Sequence, residues 1–228
     1  MARDVLTKEQ IVHAAVELLD AEGLDGLNMR RLGLRLGAAA TAMYWHVRNK
    51  DELVRLAADS VWHEIVLPNV DELDWRPAAA TAAGELHAMM LRHPWLIQAL
   101  AGYLLYGPGK ARYDDRLLAI CEKAGFAGPM ADAACAAMFT YVLGNVVGAS
   151  AEVSLRRRLS KDGGDPEQLL AAVMQQAAEI ADGFPHLRTR LDHAAAESYT
   201  AAPPDSFGLG LTALLDGLER QLVDPQAS

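Results

Sequence analysis

The stretch Leu27–Leu53, LNMRRLGLRLGAAATAMYWHVRNKDEL, decides the reading of the chain. Asn28 is placed to cap a short helix running through Leu36, because its side-chain oxygen can accept a free backbone N–H of the first turn. Gly37 then permits a tight turn that an L-residue side chain would resist. A second short helix follows over about Ala40–His46. Helix, glycine turn and helix at this spacing form a helix-turn-helix, in which the second helix enters a DNA major groove while flanking groups grip phosphates. Met43 and Val47 read as core. The stretch from Gly26 to Lys50 carries Arg30, Arg31, Arg35, Arg48 and Lys50 and no acidic residue, although the 228-residue chain has a net charge of −9. A uniformly acidic surface repels phosphate, so DNA contact on this protein must be local.

Upstream, Thr7 and Gln10 form a capping-box pattern, with Leu6 and Ile11 placed as a hydrophobic staple, for a helix whose apolar stripe is Ile11, Ala14, Ala15 and Leu18 and which Gly23 stops. Downstream, Asn49 with Glu52 starts a fourth helix reaching about Val66, which Pro68 ends. NVDELDW then reads as a connector. Further helices are expected over about 75–92, 95–105, 109–124, 129–158, 166–182 and 206–222, with Pro94, Gly107–Pro108, Gly125 and Gly128–Pro129 as punctuation. SKDGGDPEQ and APPDS read as loops feeding new helices. β-branched alternation is nearly absent, so the fold class is all-α. Residues 1–55 read as a three-helix, helix-turn-helix DNA-binding domain. The fourth helix joins it to a larger helical ligand-binding and dimerisation domain over 56–228.

Cys121 and Cys135 read as reduced thiols in a chain too large to need a disulfide staple. The N-terminus lacks an apolar signal region and no long uncharged apolar run is expected, so the reading is a cytoplasmic protein with no membrane contact. Enzyme signatures are missing: no HExxH or GxSxG occurs, and Glu85 and His87 stand too close in sequence to share a helix face. No catalytic residue, metal or cofactor is expected. The competing class is a helical small-molecule-binding protein or enzyme with a non-functional helix-turn-helix, which would form no specific complex on a palindrome.

LNMRRLGLRLGAAATAMYWHVRNKDEL closely resembles the DNA-binding segment of the tetracycline-repressor (TetR) family, and FGLGLTALLDGLERQL resembles the last helix of the tetracycline repressors. The resemblance implies a homodimeric repressor that binds a palindromic double-stranded operator and leaves it when a small-molecule inducer enters the C-terminal domain. It implies that Arg30 reads guanine, a role that suits its bidentate fork, and that Lys50 meets a phosphate. Thr41, Ala42, Tyr44, Trp45 and His46 then occupy the recognition helix and its end. The sequence departs from the tetracycline repressors at Met29, Ala40 and Thr41, where those carry threonine, glutamine and proline, so a different operator is expected. LIQALAGYLLYGP holds no histidine and Val66 falls near the position of the other metal-binding histidine, so a tetracycline–magnesium chelate is disfavoured. A largely apolar ligand is expected instead. Candidate ligand-binding residues are Trp62, His87, Met90, Trp95, Tyr103, Tyr106, Met138, Tyr141 and Asn145. Phe207, Leu211, Leu214, Leu215, Leu218 and Leu222 line one face of the last helix, and Gly144 and Gly148 make a small-residue ridge on the long helix. A four-helix bundle between subunits would cover both, as would intramolecular packing for the first.

Overall fold

Local capping chemistry sets the start of three of the four helices in the N-terminal quarter. The computed structural model describes residues 6–161, 165–191 and 206–223, in which eleven α-helices and no strand occur. Before α1 (Lys8–Gly26), Gln10 N donates to Thr7 Oγ1 at 3.2 Å and Thr7 N to Gln10 Oε1 at 2.9 Å, the reciprocal capping box. Gly23 does not stop α1 as expected. It kinks the helix at φ 72°, and one more turn follows. Asn28 caps α2 (Met29–Arg35) by accepting from Arg31 N, and Gly37 takes a left-handed φ of 61° in the turn. The recognition helix α3 (Ala40–Met43) is shorter than the expected span: beyond Met43 the chain tightens into turns closed by His46 N and Val47 N on the Met43 carbonyl.

α4 (Lys50–Trp62) opens with Glu52 N donating to Asn49 Oδ1, while the Glu52 carboxylate accepts from Arg48 N, one residue before the position a strict capping box would use. It ends four residues earlier than expected. The Arg112 guanidinium donates to the carbonyls of Trp62, His63 and Ile65, supplying donors in place of the N–H groups of a continued helix. The connector that follows is pinned by cations of a later helix, Arg116 on the Pro68 carbonyl and Lys123 on that of Leu73.

The remaining helices are α5 (Trp75–Arg92), α6 (Trp95–Gly102), α7 (Pro108–Ala124), α8 (Pro129–Lys161), α9 (Pro166–Ala181), α10 (Pro185–Leu191) and α11 (Ser206–Val223). α6 ends three residues short of expectation, and α10 carried no distinct signal beside the Gly183–Phe184–Pro185 break. Residues 162–164 and 202–205 of the two expected loops lie outside the described residues. α8 is the spine, packed against α5, α6, α7, α9 and α11. Its segment 133–151 contains no charged residue, so the expectation of no long apolar run is corrected: by length and composition alone α8 could cross a membrane. It packs against helices instead.

The two halves share one buried core. Leu18 and Leu19 of α1, Leu53 and Val61 of α4, and Trp95 and Leu96 of α6 all belong to it. A polar clamp adds to the junction. Asp20 Oδ1 on α1 accepts from His93 Nδ1 and Trp95 Nε1, both at 2.8 Å, and Glu64 Oε2 lies 3.0 Å from His93 Nε2 and 3.3 Å from Arg92 Nη2. With a carboxylate on each side, the protonated ring can donate from both nitrogens, so the surroundings favour the imidazolium. Burial works against that charge, but hydrogen bonds to Asp20 and Glu64 and their negative charges outweigh it, so the His93 pKa lies above the ordinary imidazole value. Protonation is thus favoured by folding. The stabilisation is complete below about pH 6.5, the ordinary value, and is lost as pH rises through the raised folded value. The Tm is expected to fall with rising pH across that window, and His93→Gln to flatten the fall. A His93→Gln protein with the wild-type slope in a pH series of melts would assign the dependence to another group.

Candidate nucleic-acid interface and ligand cavity

The reading head is held from behind and open in front. Met43 and Val47 are buried in the common core, as expected, and this fixes which residues around α3 face outward. On that face Thr41 is exposed, Tyr44 is 55% and Trp45 89% exposed, His46 is half-buried and Ala42 leans on the core. Trp45, in the turns just beyond α3, thus leaves its indole largely in water. Five basic residues do not all face outward. Arg31 pairs with Glu22, and Arg35 with Glu17 at 2.9 Å, both on α1, whereas neither Arg30 nor Arg48 forms an ion pair among the described residues. Lys50 Nζ donates to the Leu24 carbonyl at 2.8 Å, which fastens α4 to α1 and leaves two further N–H donors on the ammonium.

A cavity of about 560 Å³ opens between α7 and α8, walled by Leu117, Leu118, Ala136 and Phe139 and bordered by Tyr106, Lys110, Asp114, Asp115, Asp132 and Cys135. Of the nine residues expected to bind ligand, Tyr106 alone lines it. Trp62 stands next to it, separated by Lys110. Met90, Trp95 and Met138 are core residues, the Trp95 indole being committed to Asp20. His87 stacks on Phe207 at 3.9 Å, and the Tyr141 hydroxyl donates to the Phe207 carbonyl at 2.7 Å, so these side chains tie α5, α8 and α11 together. Burial holds the His87 pKa below its ordinary value. Asn145 donates to the Tyr141 carbonyl of its own helix, and Tyr103 is half-buried beyond α6. Aromatic spacing identified apolar helix faces correctly, but every such face in a bundle is covered by something. Which one borders a void depends on tertiary placement.

Lys110 sits at the inner edge of the cavity. Its ammonium lies 4.9 Å from the Phe139 ring centre, 5.2 Å from Trp62 and 5.9 Å from Tyr106, and donates to both oxygens of Asp114 at 2.7 Å. Trp62 Nε1 is buried with no hydrogen-bond partner, a donor whose desolvation costs about 1–3 kcal/mol. Nearby, Asp59 of α4 accepts from Gly109 N at 2.8 Å, placing a carboxylate at the positive N-terminus of α7. Cys121 and Cys135 are free thiols with sulfurs 3.4 Å apart across α7 and α8. Among the described residues, no three His, Cys, Asp or Glu side chains gather to hold a metal ion.

Comparison with known proteins bears on this arrangement directly. Residues 11–57 match the model of bacterial regulatory proteins of the tetR family, and residues 67–222 match the tetracyclin repressor-like C-terminal domain. The chain belongs to the TetR family. Among its relatives, an HTH-type transcriptional regulator of Saccharopolyspora erythraea is 40% identical over 144 residues, 63% of this chain and 61% of that protein. The HTH-type transcriptional repressor DrrR1 of Streptomyces coeruleorubidus is 31% identical over 95% of this chain and 78% of its own length. The TetR-family protein ActR of Streptomyces coelicolor, solved in complex with actinorhodin, superposes with a TM-score of 0.71 at 29% identity, covering 96% of each chain.

In this TetR-family chain the apolar face of α11 turns inward. Leu211 and Leu215 are buried, and Phe207, Leu214, Leu218 and Leu222 pack against the subunit's own core. Within one subunit, then, intramolecular packing covers Leu211 and Leu215 fully and the other four in part. Its opposite side leaves Leu209 76% exposed, with Ala213 and Gly217 beside it. On α8, Thr140, Gly144 and Val147 are exposed and Gly148 half-buried, and a Cβ on Gly144 would meet nothing within 4 Å.

Sequence reasoning missed Lys110 and Asp114, whose four-residue spacing is a helical ion-pair signal, and it missed Gly109. A Cβ at Gly109 would lie 2.6 Å from the Asp59 carbonyl oxygen and 2.9 Å from Trp62 Cβ. Backbone cannot step aside as a flexible side chain can, so Gly109→Ala is expected to push α7 off α4 and destabilise the fold by about 1–3 kcal/mol. Urea unfolding checks this. A midpoint matching wild type would mean that the α4–α7 contact yields more easily than its closeness implies.

Proposed function

We propose that the chain is a dimeric repressor that grips a palindromic operator through the helix-turn-helix and lets go when a small molecule with a largely apolar body enters the α7–α8 cavity. One observation carries the reading: α4 begins at Asn49 beside the recognition helix and ends at Trp62, whose indole borders the Lys110 cage. A ligand in the cavity and a DNA groove at the reading head thus act on opposite ends of one helix, with the proposed domain boundary, 1–55 against 56–228, running through it. ActR's complex with actinorhodin supports a ligand role for this domain. The cavity volume lies in the range that holds drug-sized molecules.

Arg30 is the proposed base reader, and Arg48 and Lys50 the proposed phosphate contacts. Thr41, Ala42, Tyr44, Trp45 and His46 supply the groove-facing surface. Arg30→Ala should weaken binding to the specific site by about 1–3 kcal/mol and relax one base position, whereas Lys50→Ala should weaken all sequences alike and lower the salt slope. Fluorescence anisotropy on a palindrome from the promoter beside the protein's own gene, against scrambled DNA, separates them. Equal losses on both duplexes for Arg30→Ala would remove it from base readout. No specific complex for the wild type would favour the small-molecule-binding alternative.

The proposed subunit contact uses the outward sides of α8 and α11, including Gly144, Val147, Gly148, Leu209 and Ala213. Only about 28% of the most apolar window of α8 is buried within one chain, and a second copy would cover the rest in a four-helix arrangement. Val147→Glu should give a monomer in sedimentation and lose operator binding, since one half-site holds too few contacts. Leu214→Glu and Leu218→Glu, on the inward side, should instead lower the Tm. A dimeric Val147→Glu protein would move the interface elsewhere.

A further inference from the structure

The Lys110 ammonium lies over three aromatic rings and against a carboxylate, as a bound alkylammonium ligand would. Ring faces attract cations through their quadrupole, and a site combining several faces with one carboxylate is built for a positive charge. Here the chain supplies that charge itself. The Lys110 side chain retains 17% exposure and comes from the cavity side, so the position it fills is continuous with the void.

Resting on the reading of the α7–α8 cavity as the inducer site, the geometry points to a cationic amphiphile as the inducer, a protonated amine on an aromatic or otherwise apolar body. Its ammonium takes the place of Lys110 Nζ between Asp114 and the rings of Trp62, Phe139 and Tyr106. Its body fills the space between Leu117, Leu118 and Ala136.

Charge favours this class over an anion. Asp114, Asp115 and Asp132 border the cavity against the one cation Lys110. An incoming anion would pass two carboxylates that form no ion pair among the described residues and then compete with Asp114 for an ammonium already held by both its oxygens. A cation is attracted by all three carboxylates and opposed only by the one ammonium it displaces. Lys110 is tethered, which gives it an effective concentration no small free amine can match. The ligand wins by burying its body, so a bare alkylamine is excluded and an amphiphile selected. Displacing Lys110 removes the ammonium packed on Trp62, the last residue of α4, and this is where ligand entry would reach the lever.

Two fluorescent probes of equal length test the inference: dansylcadaverine, which ends in an ammonium, and dansyl-6-aminohexanoate, which ends in a carboxylate. Wild type should bind the cation at least roughly tenfold more tightly, as expected for a charge-assisted hydrogen bond plus ring contacts. Lys110→Met, which empties the cage and keeps its rings, should tighten cation binding by about tenfold, and Asp114→Asn should weaken it by a similar factor. Ala136→Trp, which fills the cavity, should abolish it. If the anionic probe binds more tightly and Lys110→Met destroys that binding, Lys110 is the ligand's counter-charge and the cationic class is wrong while the cavity stands. If neither probe binds saturably, or Ala136→Trp leaves binding unchanged, the cavity itself is not the ligand site. Circular dichroism reports folding of each variant, and Lys110→Gln carries the same comparison should the methionine variant unfold.

Discussion

The close approach of α4 and α7 is the constraint on which the rest of the molecule depends. Gly109 brings the α7 backbone against Asp59, the Asp59 carboxylate caps α7, and Arg112 one turn later closes the carbonyl end of α4. Each bond serves two helices. The same contact buries Trp62 against Tyr113 and Phe139, which sets the inner wall of the cavity. Removing the side chain at one residue of α7 thus fixes where the reading head's last helix ends and where the ligand cavity begins.

A second junction holds the other side of the reading head. His93 bridges Asp20 of α1 and Glu64 just past α4, and the Trp95 indole shares the Asp20 oxygen. A buried imidazolium with a carboxylate at each nitrogen has no spare hydrogen-bonding capacity, so its position is set from both ends. α1 and the end of α4 are therefore referenced to the same ring on the α5–α6 corner. Together with Lys50 on the Leu24 carbonyl at the far end of α4, this leaves α4 movable chiefly as a rigid rod.

What was legible in the sequence follows from what is local. Thr7, Asn28, Gly37 and Asn49 act on residues within four positions, and the structure uses each at the place read. Met43 and Val47 were recognisable as core from their four-residue separation, which the turns after α3 keep on one side through the Val47 N–H to Met43 carbonyl bond. Non-local features were read less well. The end of α4 was misplaced because Arg112, fifty residues later, supplies its partners. The ligand candidates were drawn from aromatic, methionine and a few polar side chains at helical spacing; of these, His87 and Tyr141 contact Phe207 between helices, and the α7–α8 cavity is bordered by a lysine and three aspartates. For the leucine face of α11 the sequence left subunit contact and intramolecular packing both open, because leucines are apolar whichever surface covers them.

Under the proposed switch, rigid-rod behaviour of α4 would turn small changes at the cavity into changes at DNA. Thirteen residues at about 1.5 Å each make α4 roughly 20 Å long, so a tilt of about 6° about the Trp62 end moves the Asn49 end by about 2 Å. In the proposed dimer the paired recognition helices would have to reach successive major grooves about 34 Å apart, and opposite 2 Å displacements in the two subunits would change that span by about 4 Å. A hydrogen bond to a base edge fails beyond about 3.5 Å, so a shift of this size breaks base contacts at one or both half-sites while leaving the reading head folded. Coupling runs equally in reverse: DNA that holds both recognition helices in register resists the tilt and must weaken ligand affinity by the factor that ligand weakens DNA affinity. The modest span of such couplings, about 1–3 kcal/mol, matches the scale of what the cavity end can exchange. One ring-held ammonium and one orphaned indole N–H are each worth about that much, and neither requires the core to repack.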